Sequence, residues 1–221
     1  MDSFRNRDEA GQALAGALDK SGVSPDTLVL ALPRGGVPIA AVIAEQLGLE
    51  MDVLNVRKLG VPWQPELAMG ALAEDGTLYL NSSLIQTLRI TNSSIEEVSA
   101  RERGTLVRRA ALFRDGTPAP VVRGRPVILV DDGLATGATM EVAVNAVRHQ
   151  QPAEITVAVP VAALGSREHF SRFADRFVCI LEPAHFEAVG RWYMDFDQVS
   201  DEEVLRLLRL SRDRHGGPRP G

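Results

Sequence analysis

The chain has 221 residues, 45% hydrophobic and 24% charged, enough for one domain with a substantial core and too few for two large ones. A net charge of −5 disfavours a nonspecific nucleic-acid partner, and a single cysteine, Cys179, excludes an intrachain disulfide and fits a reducing compartment. The charged start has no apolar stretch of the secretory kind, and the most apolar run, residues 155–164, is about half the length that spans a bilayer and is broken by Pro160, so a soluble, cytoplasmic protein is expected.

Ala10, Leu14, Ala17 and Leu18 recur at helical spacing and predict a first helix over 7–20, ended by Ser21-Gly22. The apolar run 27–31 predicts a buried strand, Pro33-Arg34-Gly35-Gly36 a turn, and 38–47 an apolar helix with proline in its first turn, where the missing N–H costs nothing. A second strand is expected over 52–56. Residues 57–76, rich in Gly and Pro, read as a long loop of the kind that forms lids, followed by a third strand at 77–80. Asn92 or Ser93 caps an Arg- and Glu-rich helix reaching about Phe113, where Glu97 and Arg101 form an i,i+4 pair; 115–126 is a connector. A strongly apolar strand at 127–130 precedes a helix over about 138–150, a strand at 154–160, a short helix from Ser166 and a strand at 176–181. Ser200 caps a C-terminal helix, and residues 212–221 are expected to be disordered after a single domain over 1–211.

Strands alternating with such helices predict an α/β fold, a mostly parallel twisted sheet flanked by helices. Ligands in such sheets sit at the carboxyl ends of the strands, near a switch in strand order. Three strands end in unusual loops, after Ala31, Val56 and Val130.

The segment 127–139, Val-Ile-Leu-Val-Asp-Asp-Gly-Leu-Ala-Thr-Gly-Ala-Thr, sets two carboxylates at a strand end and follows them with small residues and a helix start. Amides of Thr136, Gly137, Ala138 and Thr139 can point at a phosphate, and the helix dipole favours the anion. Asp131 and Asp132 would repel a phosphate lying on them, so they must contact something neutral or cationic beside it; ribose hydroxyls and a magnesium ion meet that need. The segment lacks the Gly-Lys-Ser/Thr of a Walker A loop and the Gly-x-Gly-x-x-Gly of a dinucleotide site. Four scattered histidines and one cysteine suggest no zinc site.

All positions of 127–139 fit the phosphoribosyl-pyrophosphate motif of the type I phosphoribosyltransferases, and the chain resembles that family over about residues 1–211. The resemblance implies the family fold, with a small hood from terminal segments that includes about 183–200. It implies ribose binding by Asp131 and Asp132 and 5′-phosphate binding by Ala135, Thr136, Gly137, Ala138 and Thr139. Hypoxanthine-guanine enzymes usually carry an aspartate where Ala135 stands; Ala135 cannot hydrogen-bond a purine, which argues against that subclass. The loop with Arg34, Gly35 and Gly36 resembles the pyrophosphate loop, which often contains a cis peptide. Arg57-Lys58 resembles the mobile catalytic loop that neutralises departing pyrophosphate; the alternative is a solvated charge pair. Trp192 and Tyr193 fall in the hood, either stacking on an acceptor base or packing on the core. With Pro-Arg-Gly-Gly, Arg-Lys-x-Gly and Trp-Tyr-x-x-Phe together, the sequence is similar to a bacterial phosphoribosyltransferase-domain branch. The family implies Mg2+, phosphoribosyl pyrophosphate, a nitrogenous base acceptor, a homodimer and a place in nucleotide metabolism. The alternative on the same fold is a non-catalytic regulator that senses phosphoribosyl pyrophosphate or binds RNA through the Arg-rich helix.

Overall fold

The computed structural model describes residues 3–74, 76–114 and 116–215. Five strands form a wholly parallel sheet in the order β2-β1-β6-β7-β8: β1 (Leu28–Ala31), β2 (Glu50–Val53), β6 (Pro126–Val130), β7 (Glu154–Val161) and β8 (Arg176–Leu181). Both faces of the sheet are covered, so β1 and β6 read as nearly unbroken apolar runs. Val29, Ala31, Ile128 and Val130 point into a core with α1 (Arg7–Asp19), α2 (Gly36–Leu47) and α7 (Asp201–Arg214). Their neighbours Leu28, Leu30, Val127 and Leu129 point the other way, against α5 (Ala138–His149) and Phe170 of α6 (Ser166–Phe170). The mostly parallel sheet flanked by helices is therefore as expected.

The segment expected to be a long loop is instead a second sheet. Strands β3 (Val56–Val61), β4 (Gln64–Ala73) and β5 (Leu78–Leu80) pair antiparallel in sequence order. Its glycines, which suggested a loop, are places where backbones meet: a Cβ on Gly70 would lie 2.2 Å from the Tyr79 carbonyl oxygen, and one on Gly60 2.3 Å from that of Pro65. Leu59, Val61, Met69 and Leu72 pack against Ile90 and, on α4 (Asn92–Arg114), Ile95, Val98 and Leu106. Ala71, Ala73 and Tyr79 pack against Val142 and Ala146 of α5. The unpredicted helix α3 (Ser82–Leu88) starts where the Asn81 side chain accepts a hydrogen bond from the Leu84 amide. The second strand ends at Val53 rather than at 56: the Leu54 amide makes the last rung of its ladder, donating to the Ala31 carbonyl at 2.9 Å, and from Val56 the chain belongs to the other sheet. Ser200 caps α7 as predicted, accepting from the Glu203 amide, but the helix runs through Arg214, three residues past the expected start of disorder; residues 216–221 of that tail lie outside the described residues, as does Asp115 of the connector.

Arg114, on the last turn of α4, locks this helix to the main sheet. Its guanidinium meets the Asp52 carboxylate at 2.5 Å, pairs with Glu74 and donates to the Val53 carbonyl at 3.1 Å, with 13% of its side chain exposed. Burial pushes the Asp52 carboxyl up against the opposing pull of Arg114. Arg114→Met should therefore leave the partly buried Glu74 without a cation among the described residues and the buried Asp52 with only the more distant Arg212, 3.9 Å away. The expected loss is roughly 3–5 kcal/mol, read as a lower urea midpoint; an unchanged midpoint would mean that this network is held by other groups.

Candidate active site

The sheet order reverses at β1, whose two neighbours are β2 and β6. The chain leaving β1 and the chain leaving β6 thus turn away from each other, and a crevice opens between them. The two loops are in direct contact. Leu32 donates its amide to the Val130 carbonyl at 2.8 Å. A Cβ on Gly36 would sit 2.5 Å from that carbonyl oxygen, and a Cβ on Gly35 would sit 1.9 Å from Asp132 Oδ2. Both glycines are needed for this loop to lie against the acidic one. The Pro33–Arg34 peptide is cis. Arg34 Nη1 lies 3.7 Å from Asp201 Oδ1, at the first turn of α7.

The acid pair is short of positive charge. Asp131 Oδ1 accepts from the Asp132 amide at 2.9 Å, yet burial and then the neighbouring Asp132 charge push the Asp131 carboxyl up to about 8. Among the described residues Asp132 has one cationic partner, Arg7, whose Nη2 and Nε donate to its Oδ2 at 2.9 and 3.3 Å. Burial nevertheless holds the Asp132 carboxyl above its ordinary value, against the lowering effect of Arg7. The other edge of the Arg7 guanidinium donates to the Asp197 carbonyl at 2.8 Å, and its flat face lies 4.0 Å from the centre of the Phe196 ring. The Tyr193 hydroxyl donates to the Asp132 carbonyl at 2.7 Å, and burial raises its pKa.

After these aspartates the chain forms an open amide cradle. Gly137 adopts φ 72, in the left-handed region, at the N-cap of α5, and a side chain there would strike Phe170. Ala138 donates weakly to Thr136 Oγ1 at 3.4 Å, while the amides of Thr136, Gly137 and Thr139 have no hydrogen-bond acceptor among the described residues. Ala135, Thr136 and Thr139 are exposed. An anion placed there would meet free N–H donors at a helix start. Among the described residues, no group of three His, Cys, Asp or Glu side chains could cage a metal. The donor set does suit magnesium, which is commonly held by one or two carboxylates together with water and phosphate oxygens.

The remaining sequence-predicted residues divide. Arg57 and Lys58 are consecutive on β3 and so project to opposite faces. Arg57 Nε lies 3.3 Å from Glu102 Oε2 on α4, and Lys58 Nζ lies 3.1 Å from Glu66 Oε2 on β4. Arg57 still borders the site, because it lines a small cavity of about 30 Å³ with Pro33, Asn55, Arg109 and Thr139. Tyr193 is buried against Phe4 and Phe196, so its ring packs on the core rather than offering a face to an acceptor. Trp192 is half-buried and lines a separate cavity of about 310 Å³ with His185, Glu187 and Arg191. Sequence reasoning passed over Arg7 and Asn55, and it noted Phe196 only as part of the Trp-Tyr-x-x-Phe tail and Arg109 only as part of the Arg-rich helix. Arg7 lies 125 positions from Asp132, and no spacing rule links them.

The raised Asp131 carboxyl predicts a pH effect on stability. The folded protein holds this proton up to about pH 8, while an unfolded chain releases it near the ordinary carboxyl value of 3.8. The folded state therefore binds more protons across that window, and stability falls as pH rises through it. Asp131→Asn removes the penalty. In chelator-treated protein, its melting temperature should exceed the wild type's by several degrees at pH 8 and match it near pH 4; a constant difference at both pH values would contradict the assignment.

A model of the phosphoribosyl transferase domain matches residues 6–197. Two Mycobacterium tuberculosis proteins (strains CDC 1551 and H37Rv), each carrying the name "Putative phosphoribosyl transferase", are 42% identical over 215 residues, covering 96% of this chain and 48% of each relative. The chain thus spans about half the length of these curated relatives. The crystal structure of TT1426 from Thermus thermophilus is similar at 43% identity and a TM-score of 0.87, covering 93% of this chain and 97% of that one. No helix among the described residues is long and apolar enough to cross a membrane. With a family model matching most of its length and these relatives aligned along nearly all of it, the chain belongs to the phosphoribosyl transferase domain family.

Proposed function

We propose that this chain binds phosphoribosyl pyrophosphate with magnesium and transfers the phosphoribosyl group to a nitrogenous base or related acceptor, releasing pyrophosphate, as a cytoplasmic homodimer. The observation that carries the reading is the contact of two loops at the strand-order reversal: an acid pair with too little positive charge, beside a row of unpartnered amides. The amides of Thr136, Gly137 and Thr139 would hold the 5′-phosphate. Asp131 and Asp132 would accept hydrogen bonds from the ribose hydroxyls. Arg34, Gly35 and Gly36 would face the pyrophosphate. Magnesium, held by Asp131 or Asp132 through water, would neutralise charge on the leaving group. In the reaction an acceptor nitrogen forms a bond to the anomeric carbon, the bond from that carbon to pyrophosphate oxygen breaks with the electron pair leaving on pyrophosphate, and the proton of the acceptor N–H passes to water. The protein's part is to position the reactants and stabilise charge, and little proton transfer from side chains is required. Trp192, with His185 beside it, offers a flat surface for the acceptor.

The pairing of Arg57 with Glu102 and of Lys58 with Glu66 favours a second reading, a protein that binds the donor without turning it over, because neither cation is free to meet departing pyrophosphate in this arrangement. RNA binding along the Arg-rich α4 is the other non-catalytic form of that reading. Pyrophosphate release in the presence of candidate bases separates catalysis from binding alone.

The primary test is calorimetric titration with phosphoribosyl pyrophosphate, with and without magnesium. Binding should require magnesium and should weaken by roughly a hundredfold or more in the Asp131→Asn/Asp132→Asn double variant, since each substitution removes charge-assisted hydrogen bonds. Equal binding by the double variant, or no wild-type binding at millimolar donor, would rule the assignment out.

A further inference from the structure

We propose that Arg7, the first residue of α1, is a positioning residue for the sugar. It holds Asp132 by one carboxylate oxygen and thereby leaves the other aimed for a ribose hydroxyl. The inference rests on the donor-binding reading above and adds a residue from outside the two loops. Arg7 Nη2 and Nε both donate to Asp132 Oδ2. Asp132 Oδ1 has no hydrogen-bond partner among the described residues, and 17% of the side chain remains exposed. The carboxylate cannot swing toward the pyrophosphate loop, because it already fills the space where Gly35 lacks a side chain. Backbone movement is limited too, since the Tyr193 hydroxyl holds the Asp132 carbonyl at 2.7 Å. One oxygen is thus tied, and the other is the edge a ligand can use.

Arg7 is itself held. Its side chain is 12% exposed, its face lies on Phe196, and its Nη1 donates to the Asp197 carbonyl. The start of the chain is bound to the same segment through the Phe4 amide to Trp192 and the Met194 amide to Phe4, each at 2.8 Å. A guanidinium fits this position because its fork supplies two parallel donors to one side and a third to the other, whereas an ammonium supplies charge without that geometry. Arg7 therefore connects the ribose-facing carboxylate to the C-terminal segment that carries Trp192.

The test compares wild type, Arg7→Lys and Arg7→Met by calorimetry with two probes, ribose 5-phosphate and inorganic phosphate. Inorganic phosphate reads the amide cradle alone; ribose 5-phosphate reads the cradle plus the hydroxyl contact. Arg7→Met should weaken ribose 5-phosphate about tenfold or more and leave phosphate within about twofold, with Arg7→Lys recovering part of the loss. Adding Arg7→Met to Asp132→Asn should cause no further loss of ribose 5-phosphate affinity, because the group it positions is already altered. Equal weakening of both probes would mean that Arg7 only supports the fold, and unchanged ribose 5-phosphate affinity would mean that it positions nothing; either overturns the proposal. If the wild type binds phosphate but no ribose 5-phosphate, the donor-binding reading falls and this inference falls with it.

Discussion

Two neighbouring carboxylates at the end of β6 share one guanidinium, and the surrounding structure is arranged around that imbalance. Burial raises both acids, and the Asp132 charge helps raise Asp131 to about 8; Arg7 opposes the rise at both, by direct hydrogen bonds at Asp132 and by charge alone at Asp131. The arrangement is costly to the empty protein and suited to a ligand that brings hydroxyl donors and a cation. Gly35 has no side chain because the Asp132 carboxylate occupies that space, and Gly36 has none because the Val130 carbonyl does. The buried Tyr193 hydroxyl is satisfied by the backbone of the same aspartate. Removing any of these parts alters how the acid pair is presented before it alters a ligand contact directly.

The sheet makes such a corner possible. A wholly parallel sheet sends every strand's carboxyl end to one edge, and the reversal at β1 parts two of the outgoing chains. Because alternate residues of β1 and β6 anchor in cores on opposite faces, a slip of one residue in either strand would send every side chain into the wrong core. The loops that follow inherit that register. The antiparallel sheet is a separate layer, lodged between α4 and α5, and it brings Arg57 to the rim of the crevice.

The main sheet was legible because its strands are short, largely apolar runs between turn residues. Its helices were legible by periodicity more than by caps, since α2 and α5 start at glycines with no side-chain cap and α4 is capped by Thr91, which accepts from the Ser94 amide, one residue before the expected Asn92 or Ser93. The acid pair and cradle were legible because thirteen consecutive residues carry them. The antiparallel sheet was obscured by the residues that make it work: Gly60, Gly70 and Pro65 look like loop punctuation, but they permit close backbone contact. Once β3 is known to be a strand, Arg57 and Lys58 must point to opposite faces, which treating them as a pair in a loop concealed. Helix α3 is seven residues long, and its Leu84, Ile85 and Leu88 are only partly buried, so its apolar stripe is too short to stand out as a period. Tyr193 illustrates a different limit, since an aromatic ring suits a core and a stacking platform equally and composition cannot choose. Arg7 was invisible because its meaning depends on a residue at the far end of a fold that had first to be built.

The position of β1 also bears on how the molecule assembles. It is flanked by a strand that follows soon after it and by another made only after the antiparallel layer and the long α4 have been synthesised. On the ribosome, the first four elements, α1 to β2, can pair β1 on one side only, and its other edge stays unfilled until β6 emerges. An apolar strand with one bare edge is a template for wrong partners, and closure across so long an intervening chain is slow. The geometry that opens the crevice in the finished protein therefore also leaves β1 half-paired for much of the time the chain is being made.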